Sequence, residues 1–362
     1  MEEDLPYNVQ LVTQLEGHDD RAWHVAWNPA RPILASCSAD KTVRLYNYRS
    51  TTDPDTATAP LEFSLNTTIP TGHAKTVRAV AWSPSGKTLA TASFDSNIGI
   101  WAQDEDDEEG GGPQGEWECM SLLEGHETEC KSIAYSSSGT LLASCSRDKT
   151  VWVWEVHPDS DFECMGVLME HTQDVKCVAW HPHEEVRSIL ASASYDDTIK
   201  LYVDDPSEDW FCFTTLTGHT STVWSLVFSP DGRYLASGSD DLTIRIWERV
   251  QEHRWECVSV LEGHDRSIYS VSWSRGKGEG HLGWLASTGG DGLILVWKIS
   301  AVPTESGRDK LSHKIISRFP AAHGVSDVNS IVWCPRQGME DVFATAGDDG
   351  AVKVWKIAQS ST

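Results

Sequence analysis

Four residue types return seven times along this chain of 362 residues, always in the same order. A His comes first, at His18, His73, His126, His171, His219, His264 and His323, with spacings of 55, 53, 45, 48, 45 and 59 residues. An Asp follows each: Asp40, Asp95, Asp148, Asp196, Asp241, Asp291 and Asp349. Four residues before each Asp stands a hydroxyl, at Ser36, Thr91, Ser144, Ser192, Ser237, Ser287 and Thr345. Six residues after it stands an aromatic, at Tyr46, Trp101, Trp154, Tyr202, Trp247, Trp297 and Trp355. A period of this length marks stacked repeats, because a single unit cannot bury its own apolar surface.

Each unit reads as four short strands with turns between them. Segments such as "TVWVW" and "HVAWN" are apolar on both faces, as strands between two neighbouring sheets must be. Seven such sheets packed radially make an all-β, seven-bladed β-propeller. Within each blade the His, hydroxyl, Asp and aromatic are expected to form a buried polar relay that satisfies every member. These 28 residues are therefore scaffold rather than catalytic dyads or metal ligands. The relay also accounts for part of the high count of 17 tryptophans. The closing "AVKVWKIAQSST" ends just after the third strand of unit seven, and "VQLVTQL", residues 9–15, belongs to no unit. That stretch is predicted to supply the outer strand of the last blade and to close residues 1–362 into one domain.

With 29 Lys+Arg against 54 Asp+Glu, the net charge of −25 argues against direct nucleic-acid binding over a broad surface. "MEEDLPYNVQ" has neither the basic nor the apolar region of a signal peptide, and no apolar run approaches a membrane span, so no membrane is expected. Nine cysteines without a secretion signal point to reduced thiols in cytosol or nucleus. "NTT" at Asn66 matches a glycosylation acceptor but lacks that secretory context. With the scaffold His–Asp pairs set aside, no nucleophile–base constellation remains, and "GKGEG" at 276 lies between strands rather than before a helix. The expectation is a protein that is not an enzyme and holds no cofactor.

In an antiparallel meander alternate turns share an end. The His-bearing and Asp-bearing turns therefore form one face, the top. The long insertions, 49–60, 104–116, 275–283 and 300–309, fall on the other; their Gly, Pro, Ser, Thr and acidic composition suggests mobile, solvated loops. Three positions per blade should look outward at the top: three after the His, five after it, and one before the Asp. They read Arg21, Trp23 and Ala39; Thr76, Arg78 and Phe94; Glu129, Lys131 and Arg147; Asp174, Lys176 and Tyr195; Thr222, Trp224 and Asp240; Ser267, Tyr269 and Gly290; and, shifted by one around Val328, Asp327, Asn329 and Asp348. Blades 2 to 4 thus gather Arg78, Lys131, Arg147 and Lys176 with Phe94 and Tyr195 between them. Trp23, Trp224 and Tyr269, with Arg21, continue the rim. Arginine and aromatic rings dominate binding hot spots, and arginine pairs bidentately with carboxylates. The candidate site is a protein-binding top face for an acidic segment or a chain terminus.

The four-mark unit is the WD-repeat pattern. More narrowly, "ASCSRDKTVWVWEV", "HTQDVKCVAWHP", "LASASYDDTIKLY" and "GHTSTVWSLVFSPDG" resemble the WD-repeat subunit of the cytosolic iron–sulfur protein assembly targeting complex. So do the outer strands "EWECMSLL", "DFECMGVL", "DWFCFTTL" and "RWECVSVL". The resemblance implies a non-catalytic adaptor in the cytoplasm, with nuclear clients as well. It implies docking with a small cysteine-bearing subunit and a HEAT-repeat subunit, and delivery of clusters to client apoproteins. It also implies an important exposed arginine at the position of Arg147. The loops 49–60 and 104–116 depart from the family. The thiols offer no CxxC: Cys119, Cys164, Cys212 and Cys257 are spread over four outer strands, and Cys37, Cys130, Cys145, Cys177 and Cys334 read as packing residues or strand ends, so the chain alone is not expected to ligate a cluster. The alternative reading is a WD-repeat substrate receptor or scaffold of a ubiquitin-ligase or chromatin complex, since a propeller does not name its partners. A metal- or cluster-binding redox protein is a further rival.

Overall fold

Antiparallel pairing between sequence neighbours builds the molecule. The computed structural model describes residues 5–50, 61–103, 115–158, 161–183, 188–205, 209–303 and 309–360, and among these there are 28 strands and no helix. The strands form seven four-stranded sheets, the blades of a β-propeller. Six blades are simple meanders; blade 1 runs Ala22–Trp27, Ile33–Ser38, Thr42–Ser50 and Leu61–Pro70. Blade 7 takes Val328–Trp333, Val342–Gly347 and Val352–Gln359 and adds Tyr7–Leu15 at its outer edge, paired from Tyr7 opposite Gln359 to Leu15 opposite Val352 with a one-residue shift between Leu11 and Thr13. The second strands, such as Ile33–Ser38 and Ile189–Ser194, are buried along their whole length because a neighbouring sheet covers each face.

The polar relay is complete in blades 2 to 7; in blade 1 His18 bonds Asp40 and Ser36, but the buried Tyr46 hydroxyl finds no partner among the described residues, so the expected satisfaction of every member fails there. In blade 3 His126 Nδ1 lies 2.9 Å from Asp148 Oδ2, His126 Nε2 lies 2.9 Å from Ser144 Oγ, and Trp154 Nε1 donates to the same Oγ at 3.1 Å. Asp148 also accepts the backbone N–H groups of Glu127 and Thr150, so one carboxylate ties the His-bearing turn to the hairpin above it. Burial alone would raise this carboxyl, but hydrogen bonds from His126 and Thr150 hold it well below the ordinary range. In blade 4 Tyr202 takes the indole's place, with Ser192 Oγ donating to its hydroxyl at 3.3 Å. The glycine before the His leaves room for the third strand: a Cβ on Gly125 would come within 2.5 Å of the Trp152 ring.

A second class of tryptophan sews blade to blade at the lower end of the first strands. Trp27 Nε1 donates to Val332 O at 3.0 Å, Trp82 to Ala26 O at 3.1 Å, Trp180 to Ala134 O at 2.9 Å and Trp333 to Ser272 O at 3.1 Å. Of the long insertions, 51–60, 104–114 and 304–308 lie outside the described residues. The described one, 275–283, is pinned rather than loose: Lys277 Nζ sits 2.7 Å from the buried Asp341 carboxylate, and Trp273 Nε1 donates to Leu282 O at 3.2 Å.

Candidate protein-interaction site

The upper mouth of the propeller is built by a repeated irregularity. In each blade the first strand pairs with the second until the register slips by one residue, as between Ala22 and His24 or between Val77 and Ala79. The seven residues skipped by the ladder are Trp23, Arg78, Lys131, Lys176, Trp224, Tyr269 and Asn329. A bulge frees one residue from the ladder and re-aims its side chain. All seven line one cavity of about 300 Å³, joined by Arg21, Phe94, Asp327 and Asp348. The three outward positions of each blade are therefore not equivalent: the fifth after the His forms an inner collar, and the other two form its rim.

Collar side chains touch around the ring. The Arg78 guanidinium lies 4.8 Å from the Trp23 ring centroid, Lys131 Nζ lies 4.1 Å from that of Phe94, and Lys176 Nζ lies 4.9 Å from that of Trp224. Trp224 meets Tyr269 edge to face at 5.5 Å and donates its Nε1–H to Asp240 at 2.6 Å. Asn329 Nδ2 donates to Asp348 Oδ1 at 2.8 Å and to Ala22 O at 3.0 Å, closing the ring between blades 7 and 1.

Eight of the ten candidate residues line the cavity. Arg147 and Tyr195 stand outside its lining, on the rim. The Arg147 side chain is 59% exposed, against 14% for Lys131 and 10% for Lys176, so Arg147 faces outward from the rim rather than into the cavity. Tyr195, itself exposed, lies 5.3 Å from Lys176 Nζ.

The cations of blades 2 to 4 are less free than their sequence suggests. The residue two positions before each collar lysine is an acid, and it pairs with that lysine: Lys131 with Glu129, and Lys176 with Asp174 at 3.2 Å. Glu129 also takes Arg147, at 3.5 Å. Burial would raise the Glu129 carboxyl, but its hydrogen bond from Lys131 and the nearby cations hold it down. Arg21 pairs with Asp348 at 3.4 Å. In blade 2 the corresponding position is Thr76, and Arg78 has no carboxylate within 4.0 Å among the described residues. Beneath it His24 is pushed down to about 4, by burial first and then by the Arg78 charge. Asp327, Asn329 and Asp348 share the cavity although they fall outside the cation-and-aromatic set. Their signal in the sequence is positional, since Asn329 is the collar residue of blade 7.

Seven segments of the chain, 9–47, 64–102, 117–155, 162–202, 210–248, 255–298 and 314–356, match the WD domain, G-beta repeat family. A Mycosarcoma maydis protein named probable cytosolic iron-sulfur protein assembly protein 1 is 48% identical over 98% of this chain and 94% of its own length. Proteins of the same name from Cryptococcus neoformans and Scheffersomyces stipitis are 42% and 39% identical, each over 99% of their own length and 97% and 96% of this chain. This chain belongs to the WD-repeat family of cytosolic iron–sulfur protein assembly proteins.

For a member of that family the placement of the thiols matters. Cys119, Cys164 and Cys257 are exposed on three different outer strands, and each sits near the carbonyl two residues on, as Cys119 Sγ does at 3.5 Å from Ser121 O. Cys37, Cys130, Cys145 and Cys334 are buried, and burial pushes Cys37 up to about 12. Among the described residues, the grouping whose potential metal-ligand atoms come within 4.8 Å of one another is Glu155, His157 and Glu163 on blade 3, which contains no cysteine.

Proposed function

We propose that the chain is a non-catalytic adaptor of cytosolic iron–sulfur protein assembly, presenting its top face to protein partners. In this reading it works in the cytoplasm and serves nuclear clients as well. It docks a small cysteine-bearing subunit and a HEAT-repeat subunit, and it helps bring clusters, as cargo, to client apoproteins. The observation that carries the reading is full-length similarity to proteins of that name, combined with a collar of aromatic and cationic side chains at the mouth. The exposed Arg147 beside that collar is the natural contact for an acidic segment or chain terminus. Support for the absence of catalysis comes from the His–Asp pairs, each of which is bound to its blade's hydroxyl and turn.

Affinity capture from cytosol, read by mass spectrometry, tests this with the wild type and Arg147→Glu. The wild type should recover the two subunits, and the variant, which leaves the relay untouched, should lose partners or clients. Recovery of ubiquitin-ligase or chromatin components by the wild type would overturn the assignment. Equal recovery of the expected partners by both forms would keep the assignment and remove Arg147 from the binding face.

A further inference from the structure

The collar contains one cation that its own blade leaves unpaired. Lys131 and Lys176 each have an acid two residues earlier, and in both cases the pair is closed. Blade 2 breaks the rule: Thr76 holds the acid's place, and Arg78 has neither a hydrogen bond nor a carboxylate within 4.0 Å among the described residues. Its guanidinium lies against the Trp23 face at 4.8 Å and lines the cavity. A half-buried charge without a partner is costly, and a fixed fork of N–H donors is the geometry that meets a carboxylate. Contact with the Trp23 ring holds the guanidinium at the cavity wall.

We propose that the mouth cavity is a receptor for one side-chain carboxylate of an acidic partner segment, with Arg78 as its anchor. The inference rests on the adaptor reading and names the group that this face takes. The charge inventory favours a monoanion. Lys131, Lys176 and Arg21 are already paired, with Glu129, Asp174 and Asp348, and Asp327 shares the lining, so a dianionic group would meet a further carboxylate and one free cation among the described residues. The cavity of about 300 Å³ is large enough for a single side chain and its neighbours, with Trp23 and Phe94, 6.4 Å apart between centroids, forming one wall. Arg147 sits outside the lining and would touch the same segment only on the rim.

Fluorescence anisotropy on the full chain tests the proposal. The probe is a labelled peptide with consecutive glutamates and an amidated C-terminus, and the control carries glutamines instead. The wild type should bind the glutamate probe saturably and more weakly as salt rises, and the glutamine probe at least about tenfold more weakly. Arg78→Met should lose about tenfold or more, and Arg78→Lys should keep part of the affinity. Thr76→Glu leaves Arg78 in place but supplies the missing intrablade acid, and it should weaken the probe as much as Arg78→Met, with an unchanged melting temperature. Equal affinity for both probes, no binding of the glutamate probe to the wild type, or undiminished binding by Arg78→Met and Thr76→Glu would overturn the proposal. If any of these results occurs while affinity capture still recovers the assembly subunits, the receptor falls and the adaptor stands.

Discussion

The Arg78 guanidinium lies over the indole of Trp23, 4.8 Å from its centroid, so a cation of blade 2 rests on an aromatic of blade 1. Both are bulge residues that the strand ladder leaves unpaired. Their contact is thus a seam between blades as well as part of the site. A partly desolvated cation–π contact is worth about 0.5–2 kcal/mol. Trp23→Leu should lower stability by about that amount in urea unfolding, whereas Trp23→Phe, which keeps a ring face, should lose less than half as much. Equal losses would show that bulk, and not the ring, is what Arg78 needs.

Removing one relay hydroxyl is expected to be far more damaging than its size suggests. Ser144 Oγ accepts the Trp154 indole N–H and bonds His126 Nε2, and all three groups are buried. Ser144→Ala strands two polar groups at about 1–3 kcal/mol each. A loss of about 2–5 kcal/mol in chemical denaturation is expected. A loss below about 1 kcal/mol would mean that the blade repacks or admits water.

Acid should weaken the protein in two stages. The folded His24 sits at about 4 because of burial and the Arg78 charge, below its ordinary 6.5. The unfolded chain therefore binds the extra proton first, and stability falls as the pH drops from about 6.5 to about 4, by about 3 kcal/mol at most for this group. Burial likewise holds His181 low. The relay carboxylates, Asp148 among them, are held below their ordinary range, so their stabilisation disappears only as the pH falls further, below about 4. Melting temperatures of His24→Asn should show a flatter slope between pH 6.5 and 4 and an unchanged collapse below. An unaltered upper slope would count against the assignment.

The residue after each relay Asp adopts a left-handed backbone. Leu242 does so at φ 69°, Lys149 at 74°, and Gly292 at 67°. A β-carbon costs about 1–2 kcal/mol in that region, partly offset for glycine by its larger unfolded-state entropy. Lys149→Gly, at an exposed position, should therefore raise stability by up to about 1 kcal/mol, and Gly292→Ala should lower it by about 1 kcal/mol. Scanning calorimetry of both variants decides the point, and shifts of the same sign would refute it.

The relay made the fold legible. A hydroxyl and an aromatic at fixed offsets from an Asp, with a His 22 to 27 residues before it, fit together inside a four-stranded blade, and seven such sets specify the propeller. The site was legible in composition but not in geometry. Strict alternation around Ala22 or Val77 marks the residues on either side as outward-facing, but it cannot separate the third position after the His from the fifth. The bulge makes that separation, and a bulge is a property of pairing with another strand. Pairing also hid the charge balance. Lys131 and Glu129 read as a cation and an acid on one surface, and only their closure into an ion pair sets Arg78 apart as the collar cation without a carboxylate partner among the described residues. The acids of blade 7, Asp327 and Asp348, enter the cavity because the ring brings that blade beside blade 1.

The outer strand of blade 7 is also a matter of timing. Tyr7–Leu15 pairs only with Val352–Gln359, and Val352 lies 337 residues after Leu15 (352 − 15). At ribosomal speeds of about 5–20 residues per second, Tyr7–Leu15 waits roughly 20–70 s for its ladder partner. Until then its backbone edge is open to other strands, and the growing ring is a horseshoe whose two ends cannot seal. Ribosome-bound chains arrested before Val352 should be clipped by protease within residues 7–15, and full-length chains should resist. The ring is thus latched, once Val352–Gln359 has been made, by a strand made before any of its other blades.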